Sequence, residues 1–189
     1  LNTADFSAMK IGKGFKLNIM QSMVPASFTH DGTSYSGYVY VDENGTETYF
    51  KPDKEVCKNN CCYFIYKDIE NKEAVYDSKN RTITEGNEIR TFDAAGRLIS
   101  IKDKTYDNEM QIVYNAQGLI TTVIDGAGRE FTFAYSNGML TSITAPDKTT
   151  LTYSYNQDKL ISVSYPDSQK AVLSYNNSKP SCVTLISET

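Results

Sequence analysis

The chain has 189 residues, with 19 basic and 23 acidic side chains and a net charge of −4 at pH 7. This length is enough to bury a core in one domain or in two small ones, and the charge provides no basic field for nucleic acid or anionic lipid. Apolar runs are far too short to span a bilayer, and residues 1–20 lack the layout of a signal peptide. We therefore expect no nucleic-acid partner and no membrane insertion.

The first part of the chain predicts β-hairpins. Residues 38–41 and 46–50 are rich in tyrosine, valine and threonine, and they flank the turn-forming sequence Asp42-Glu43-Asn44-Gly45. Residues 61–92 are typical of further strands, broken by two clusters of turn-forming residues. Since no segment shows a long run of apolar residues at helical spacing, we predict an all-β chain.

The second half of the chain repeats itself. An aromatic residue recurs at intervals of 22, 21, 20 and 20 residues, as Phe92, Tyr114, Tyr135, Tyr155 and Tyr175. After each aromatic come a polar turn, an apolar pair three residues apart and a strand-like run that leads to the next aromatic. Such a period is the mark of a repeat architecture. We predict stacked β-hairpins that form an elongated, twisted antiparallel sheet.

The strands that lead to each aromatic alternate strictly. Phe131, Phe133 and Tyr135 fall on every second residue, and Tyr153 and Tyr155 follow the same rule one repeat later. Because successive side chains of a strand point to opposite faces, one face of the sheet is apolar and the other carries threonine, serine and alanine. We predict that the aromatic face is buried.

The strands that follow each turn are less regular. Leu140 and Ile143 are three residues apart, so they cannot share one face of a flat strand. This spacing indicates either a bend or bulge near Thr141-Ser142 or a sheet with apolar surface on both sides. The sequence leaves both alternatives open.

Residues 118–135 carry a family resemblance. They run Gly-Leu-Ile-Thr-Thr-Val-Ile-Asp-Gly-Ala-Gly-Arg-Glu-Phe-Thr-Phe-Ala-Tyr, which is similar to the unit G-R-L-T-x-I-x-D-x-x-G-R-x-x-x-x-x-Y of the YD-repeat family, also called Rhs repeats. Residues 96–103 repeat the first half of this unit. Residues 12–18 and 38–47 resemble the segment that leads into the repeats of wall-associated proteins of Gram-positive bacteria. The resemblance covers about residues 11–178.

The chain departs from the family pattern in two ways. The second letter of the family's tyrosine-aspartate pair is a small turn former with a similar local role, and it occurs as Asp93, Asn115, Ser136, Asn156 and Asn176. The D-P-x-G-L type motif that closes the repeat shell in the family is missing. We expect the first part of a longer protein, and Leu1 in place of Met agrees. Residues 1–85 would be the lead-in region and 86–189 the YD-like repeats with a C-terminal tail, together one continuous unit.

The resemblance implies a structural role. In the family the repeats wind into a spiral β-shell that encloses a C-terminal effector, so the partners would be other repeats and the C-terminal domain of the same secreted or wall-associated bacterial protein. The alternative is a carbohydrate or cell-surface binding module, in which tyrosines stack on sugar rings. No ligand-binding residue can be assigned. If the last repeat ends on an open strand, edge-to-edge self-association is also expected.

Four cysteines are the candidates for a disulfide. Cys57, Cys61 and Cys62 lie close together and Cys182 lies near the end of the chain, which allows three full pairings. Because adjacent residues of a strand point to opposite faces, at most one of Cys61 and Cys62 joins Cys57. Free thiols are the alternative, whereas a zinc site lacks a C-x-x-C pair or a nearby histidine. We predict no metal and no cofactor.

The sequence does not supply a catalytic constellation. His30, the single histidine, lies in the polar sequence Thr29-His30-Asp31-Gly32, and general-base chemistry needs a positioned partner that this sequence does not provide. Asp125, Asp147 and Asp167 recur in the same part of each repeat, which favours a role in turns. A glycosidase pair hidden among the scattered carboxylates is the enzymatic alternative. We predict a non-enzymatic protein with no catalytic residues.

Overall fold

A computed structural model describes residues 6–12, 14–70 and 73–187. This part of the chain contains sixteen strands and no helix, and hence no helix long and apolar enough to cross a membrane. The strands form one antiparallel sheet in which each strand is hydrogen-bonded to its neighbour in the sequence. The prediction of an all-β sheet of successive hairpins is confirmed.

The strand bounds follow the predicted hairpins. In chain order the strands are β1 (Ser22–His30), β2 (Thr33–Val41), β3 (Glu47–Lys58), β4 (Cys61–Asp68), β5 (Val75–Asp77), β6 (Thr82–Glu85), β7 (Glu88–Phe92), β8 (Leu98–Asp103), β9 (Asn108–Tyr114), β10 (Ile120–Ile124), β11 (Glu130–Ser136), β12 (Met139–Thr144), β13 (Thr150–Asn156), β14 (Lys159–Ser164), β15 (Gln169–Asn176) and β16 (Lys179–Ser187).

The chain divides into two compact units. The first contains Asn18–Gln111, and the second contains Phe6–Leu17 together with the chain from Ile112 onward. The expected division into residues 1–85 and 86–189 stays a prediction.

The first unit buries side chains on both faces of its strands. Val39 and Tyr40 are neighbours on β2 and point to opposite faces, yet only 2% and 7% of their surfaces are exposed. Val39 belongs to a cluster with Ala26 and Val41. On the other face, the Tyr40 ring packs against Phe92 at a centroid distance of 6.1 Å. Apolar residues in this unit therefore follow one another without strict alternation.

In the second unit, a β-bulge explains the apolar pairs that are three residues apart. Tyr135 pairs with Leu140 but Ala134 pairs with Ser142, so Thr141 is the extra residue of β12. The extra residue shifts the alternation, so Leu140 and Ile143 lie on the same face of the sheet. Their cross-strand partners on that face are Tyr135 and Phe133. Of the two alternatives left by the sequence, the bulge at Thr141-Ser142 is the one found. The same shift recurs between β7 and β8, β13 and β14, and β15 and β16.

The residues at the aspartate position of the family pair have two different roles. Asp93 Oδ1 accepts hydrogen bonds from the backbone N–H groups of Ala95 and Arg97, both at 2.9 Å, and Asn115 closes the equivalent turn in the same way. Ser136, by contrast, pairs with Met139 across a two-residue turn. The expected similar role holds for Asp93 and Asn115, whereas later repeats have a shorter turn that needs no such acceptor.

Candidate functional site

The aromatic residues of the repeats form one face of the second unit. Strand register places side chains that are directly paired on the same face, and this set comprises Phe131, Phe133, Tyr135, Leu140, Ile143, Leu151, Tyr153, Tyr155, Leu160, Val163, Ala171, Leu173 and Tyr175. The predicted shared face is confirmed. Full burial is wrong, because the phenylalanine and tyrosine rings are only partly buried, whereas Leu140 and Leu160 are 0% and 4% exposed.

Tyrosine hydroxyl groups connect successive repeats. Tyr155 Oη donates a hydrogen bond to the carbonyl oxygen of Leu140 at 2.8 Å, and Tyr175 Oη donates to that of Leu160 at 2.7 Å. Each bond reaches back 15 residues, to the buried leucine of the preceding repeat. Burial raises the pKa of the Tyr155 hydroxyl to about 12, and the nearby Tyr153 contributes to the same direction. These hydroxyls are donors in a repeated structural contact.

Residues 6–12 and 14–17 pack against the repeats of the second unit. Lys10 N–H donates to the carbonyl of Gly138 at 2.8 Å, and Leu140 N–H donates to the carbonyl of Lys10 at 2.9 Å. Met9 and Ile11 are 5% and 6% exposed, and the Tyr135 hydroxyl contacts the Met9 sulfur at 3.1 Å. A cleft of about 280 Å³ lies beside this segment. No sequence pattern predicts this contact, since it depends on backbone groups next to the bulge.

The hairpin of β3 and β4 extends beyond its neighbours. β3 pairs with β2 only as far as Phe50, and β4 pairs with β5 only from Ile65 onward. Residues 51–64, which we call the β3–β4 ribbon, are therefore strand-paired only with each other in the described part of the chain. At the base of the ribbon, the Phe64 carbonyl also accepts the backbone N–H of Ser78 at 3.3 Å. Most of their side chains are exposed.

Three of the four cysteines lie on the β3–β4 ribbon. Cys57 and Cys62 are directly paired across the two strands and form a disulfide, while Cys61 and Cys182 are exposed free thiols. The carboxylate of Glu55 lies within 4.8 Å of both bonded sulfurs. A sulfur in a disulfide is not a thiolate, so these three residues do not provide a zinc ligand set.

The part of the chain that carries the aromatic face, the bulges and the tyrosine contacts overlaps the part that a known family model matches. The model of the RHS Repeat family matches residues 114–150 and 136–170. Residues 114–170 match RHS repeats. This confirms the resemblance to YD repeats for the part of the chain between β9 and β15. No curated protein matches the chain significantly.

The carboxylates of the RHS repeats and their flanks serve the turns. Asp125 Oδ1 accepts the backbone N–H groups of Ala127 and Arg129, and its Oδ2 pairs with the Arg129 guanidinium at 2.6 Å. Hydrogen bonds from Arg129 lower the pKa of this carboxyl. Asp147 and Asp167 accept N–H groups of their own turns, those of Thr149 and Gln169. The structure does not bring these three carboxylates together.

His30 ends β1, directly before a tight turn. Its Nε2 lies 3.2 Å from Oδ2 of Asp31, whose side chain is 90% exposed. Asp31 has φ 50°, as expected for a two-residue hairpin turn. His30 is partly exposed, and the pair belongs to the predicted polar turn.

Proposed function

We propose that this chain is a non-enzymatic wall segment of a secreted or cell-surface bacterial RHS-repeat protein. In this proposal the segment forms part of a β-shell that encloses or presents a C-terminal effector domain of the same protein. The RHS repeat is a structural repeat, and the role as a shell wall extends that finding.

The tyrosine contacts between repeats carry the proposal. A tyrosine that binds a sugar by stacking and hydrogen bonding needs an open ring face and a hydroxyl without another partner. Here the recurring hydroxyls of Tyr155 and Tyr175 already donate to backbone carbonyls, and buried polar groups of this kind stabilise the fold when they are paired. The most regular feature of the repeats is therefore used to hold adjacent repeats together.

The outermost strand supports a place in a larger sheet. All nine residues of β16 are exposed, and Val183 and Leu185 expose 60% and 68% of their surfaces. They pair with the buried Leu173 and Ala171 and so continue the apolar face. A further strand beside β16 would cover them and pair its free backbone groups. Other repeats of the full-length protein are the proposed occupants.

The disulfide supports an extracellular location. Disulfides persist in secreted and surface proteins and are rare in the reducing cytosol. Cys57 and Cys62 lie on an exposed ribbon, where cytosolic thiols would reach them.

Cell-surface carbohydrate binding is the second candidate function. The partly exposed rings of Phe131, Phe133 and Tyr153 favour it, because aromatic rings with an open face stack on the apolar side of sugars.

Two measurements test the proposal. The chain is screened for turnover of glycan, peptide and ester substrates, and it is titrated with neutral oligosaccharides while the ring signals of Tyr153 and Tyr155 are followed by NMR. A wall segment gives no turnover and no saturable shift. Turnover that disappears on substitution of one aspartate or glutamate overturns the non-enzymatic assignment. Saturable shifts of the ring signals assign the adhesion role instead.

A further inference from the structure

The first unit contains a cleft that the repeat architecture does not use. Its volume is about 140 Å³, and it lies between β1, the turn that joins β5 to β6, and the turn that joins β7 to β8. Val24 and Pro25 form an apolar side, and the rings of Tyr38 and Tyr76 lie 4.7 Å apart and form a second side. Arg81 and Asp93 are the charged residues that line it.

The two charged residues differ in their partners. Asp93 is fully engaged, since its Oδ2 accepts from Arg97 Nε at 2.8 Å and from Nη2 at 2.7 Å, and its Oδ1 accepts backbone N–H groups. No carboxylate in residues 6–12, 14–70 and 73–187 forms an ion pair with Arg81. Arg81 is an exposed residue that lines the cleft, and no ion pair within the described residues neutralises its positive charge.

A second donor lies near this guanidinium. Tyr76 is 3% exposed, and burial raises the pKa of its hydroxyl while the positive charge of Arg81 opposes that shift. At neutral pH the hydroxyl thus keeps its proton and remains a donor. The cleft combines two donor groups with an apolar side.

The backbone holds Arg81 in a left-handed conformation, which ten other non-glycine residues of the described chain also adopt. Its φ is 55°, in the left-handed region that residues other than glycine adopt at an energetic cost. The Arg81 carbonyl accepts the N–H of Phe92 at 2.9 Å. The Asp77 carboxylate closes the same turn by accepting the N–H groups of Lys79 and Asn80 at 2.8 and 3.1 Å. The turn thus fixes an arginine where glycine would fit with less strain.

We propose that this cleft binds a carboxylate group. The planar fork of Arg81 would hold its two oxygens, the Tyr76 hydroxyl would donate a further hydrogen bond, and the body of the ligand would lie against Val24, Pro25 and the Tyr38 ring. The small volume admits a terminal group, either a sugar acid or the C-terminal residue of a peptide. The shared chemistry is the carboxylate, and the proposal does not depend on the role as a shell wall.

Two matched pairs of small probes test the site and identify its source. The chain is titrated with N-acetylleucine against N-acetylleucinamide, and with glucuronate against glucose, while NMR follows the Val24 methyl groups and the Ala94 and Ala95 amides. We expect the charged member of one pair to shift these signals saturably with a Kd of about 1–10 mM, as is usual for so small a ligand. Its neutral partner should bind at least about tenfold more weakly. Binding of N-acetylleucine indicates a peptide C-terminus as the ligand, and binding of glucuronate indicates a sugar acid.

Substitutions separate binding from folding. Arg81→Gly removes the guanidinium and suits a φ of 55°, so it should leave the fold at least as stable and abolish binding. Arg81→Lys keeps the charge without the fork and should weaken binding several-fold. Lys148→Gly is the matched control, because Lys148 also has a positive φ, of 72°, but does not line the cleft. Equal binding of charged and neutral probes, full binding by Arg81→Gly, or no shift with any probe overturns the proposal.

Discussion

Among single residues, the fully buried leucines of the repeats should matter more than the aromatic rings. Leu140 is 0% exposed, whereas Phe133 is only partly buried. We expect Leu140→Ala to lower the free energy of unfolding by about 3 kcal/mol and Phe133→Ala by about 1–2 kcal/mol, below the range for a buried phenylalanine. Urea unfolding monitored by circular dichroism measures both. A larger loss for Phe133→Ala would show that its face is covered.

The Tyr155 hydroxyl should make stability depend on alkaline pH. Its pKa is raised to about 12, whereas a tyrosine in the unfolded chain ionises at about 10. Below about pH 10 both states are protonated and the contribution is complete. As the pH rises towards 12 the unfolded state ionises first, so this contribution is lost.

Tyr155→Phe tests this prediction. At pH 8 the variant should unfold with a free energy about 1 kcal/mol lower, because the hydrogen bond to Leu140 is lost. This difference should reach zero near pH 11 and reverse in sign by pH 12, because a pKa raised from about 10 to about 12 costs the parent chain about 2 kcal/mol at that pH. Other tyrosines with raised pKa values also destabilise the parent chain at high pH, so the difference between the two chains is the quantity to measure. A difference that stays constant from pH 8 to 12 contradicts the assignment.

Residue alternation predicts which face a side chain occupies but not how deeply it is buried. The pattern placed Phe131 and Phe133 on one face correctly, since strand geometry alone decides that. Burial depends on what covers the face, and this is not encoded locally. Arg81 was missed for a similar reason. Its cleft is formed by β1 and by turns that are distant in sequence, and no motif marks it.

At the scale of single elements, a substitution at Gly96 tests whether residues 21–24 pack against the turn that joins β7 to β8. A Cβ at Gly96 would lie 2.3 Å from the carbonyl oxygen of Met23, whereas a Cβ at Gly128, in the equivalent position of another turn, meets nothing within 4 Å. Their φ angles are 79° and 75°, so alanine carries the same backbone cost of about 1 kcal/mol at both positions.

We therefore expect Gly96→Ala to destabilise the chain by at least about 2 kcal/mol more than Gly128→Ala, since it also disrupts the hydrogen bond from Met23 N–H to Gly96. Thermal or urea unfolding of the two variants gives the comparison. Equal losses would mean that residues 21–24 do not press on this turn in solution.

The disulfide should act locally on the β3–β4 ribbon. An isolated pair of strands is marginal in water, and closing so short a loop contributes about 2 kcal/mol. We expect hydrogen exchange of residues 51–64 to accelerate when Cys57 and Cys62 are both replaced by serine. Strands outside the ribbon should keep their protection. Cys61→Ser is the matched control and should change nothing, so an effect of Cys61→Ser equal to that of the double variant contradicts this pairing.

The cysteines and the bulge show how far local patterns lead. Strand alternation correctly limits Cys57 to one of two adjacent partners, but only the register of β3 and β4 selects Cys62. The spacing of Leu140 and Ile143 indicates an irregularity and its position, and the pairing with β11 shows that it is a bulge. The backbone contact of Lys10 with Gly138 and Leu140 was not predictable, since it uses groups that become available only once the bulged hairpins have formed.

For the whole molecule, the order of the strands follows directly from the sequence. Short turns connect most successive strands, so each strand pairs with its neighbour and the sheet grows by one hairpin at a time. This pattern of pairing does not by itself end the sheet at a particular strand. The last strand, β16, is paired with β15 along one side, and residues 181–187 contain no charge and no proline that would deter a further strand.

We therefore expect the chain to self-associate through β16 when no further strand is supplied. Light scattering should show a mass that rises with concentration. Val183→Lys combined with Leu185→Lys should restore a monomer, because charge on an edge strand opposes pairing. Adding the same two charges at Gln117 and Ala127, in exposed turns, is the control and should leave association unchanged.

A chain that ends at residue 178 should still associate, since Ala171 and Leu173, which β16 buries in the full chain, would lie on its open edge. If the full chain and the shortened chain are both monomeric at every concentration, the edge is protected in another way and the segment is self-contained.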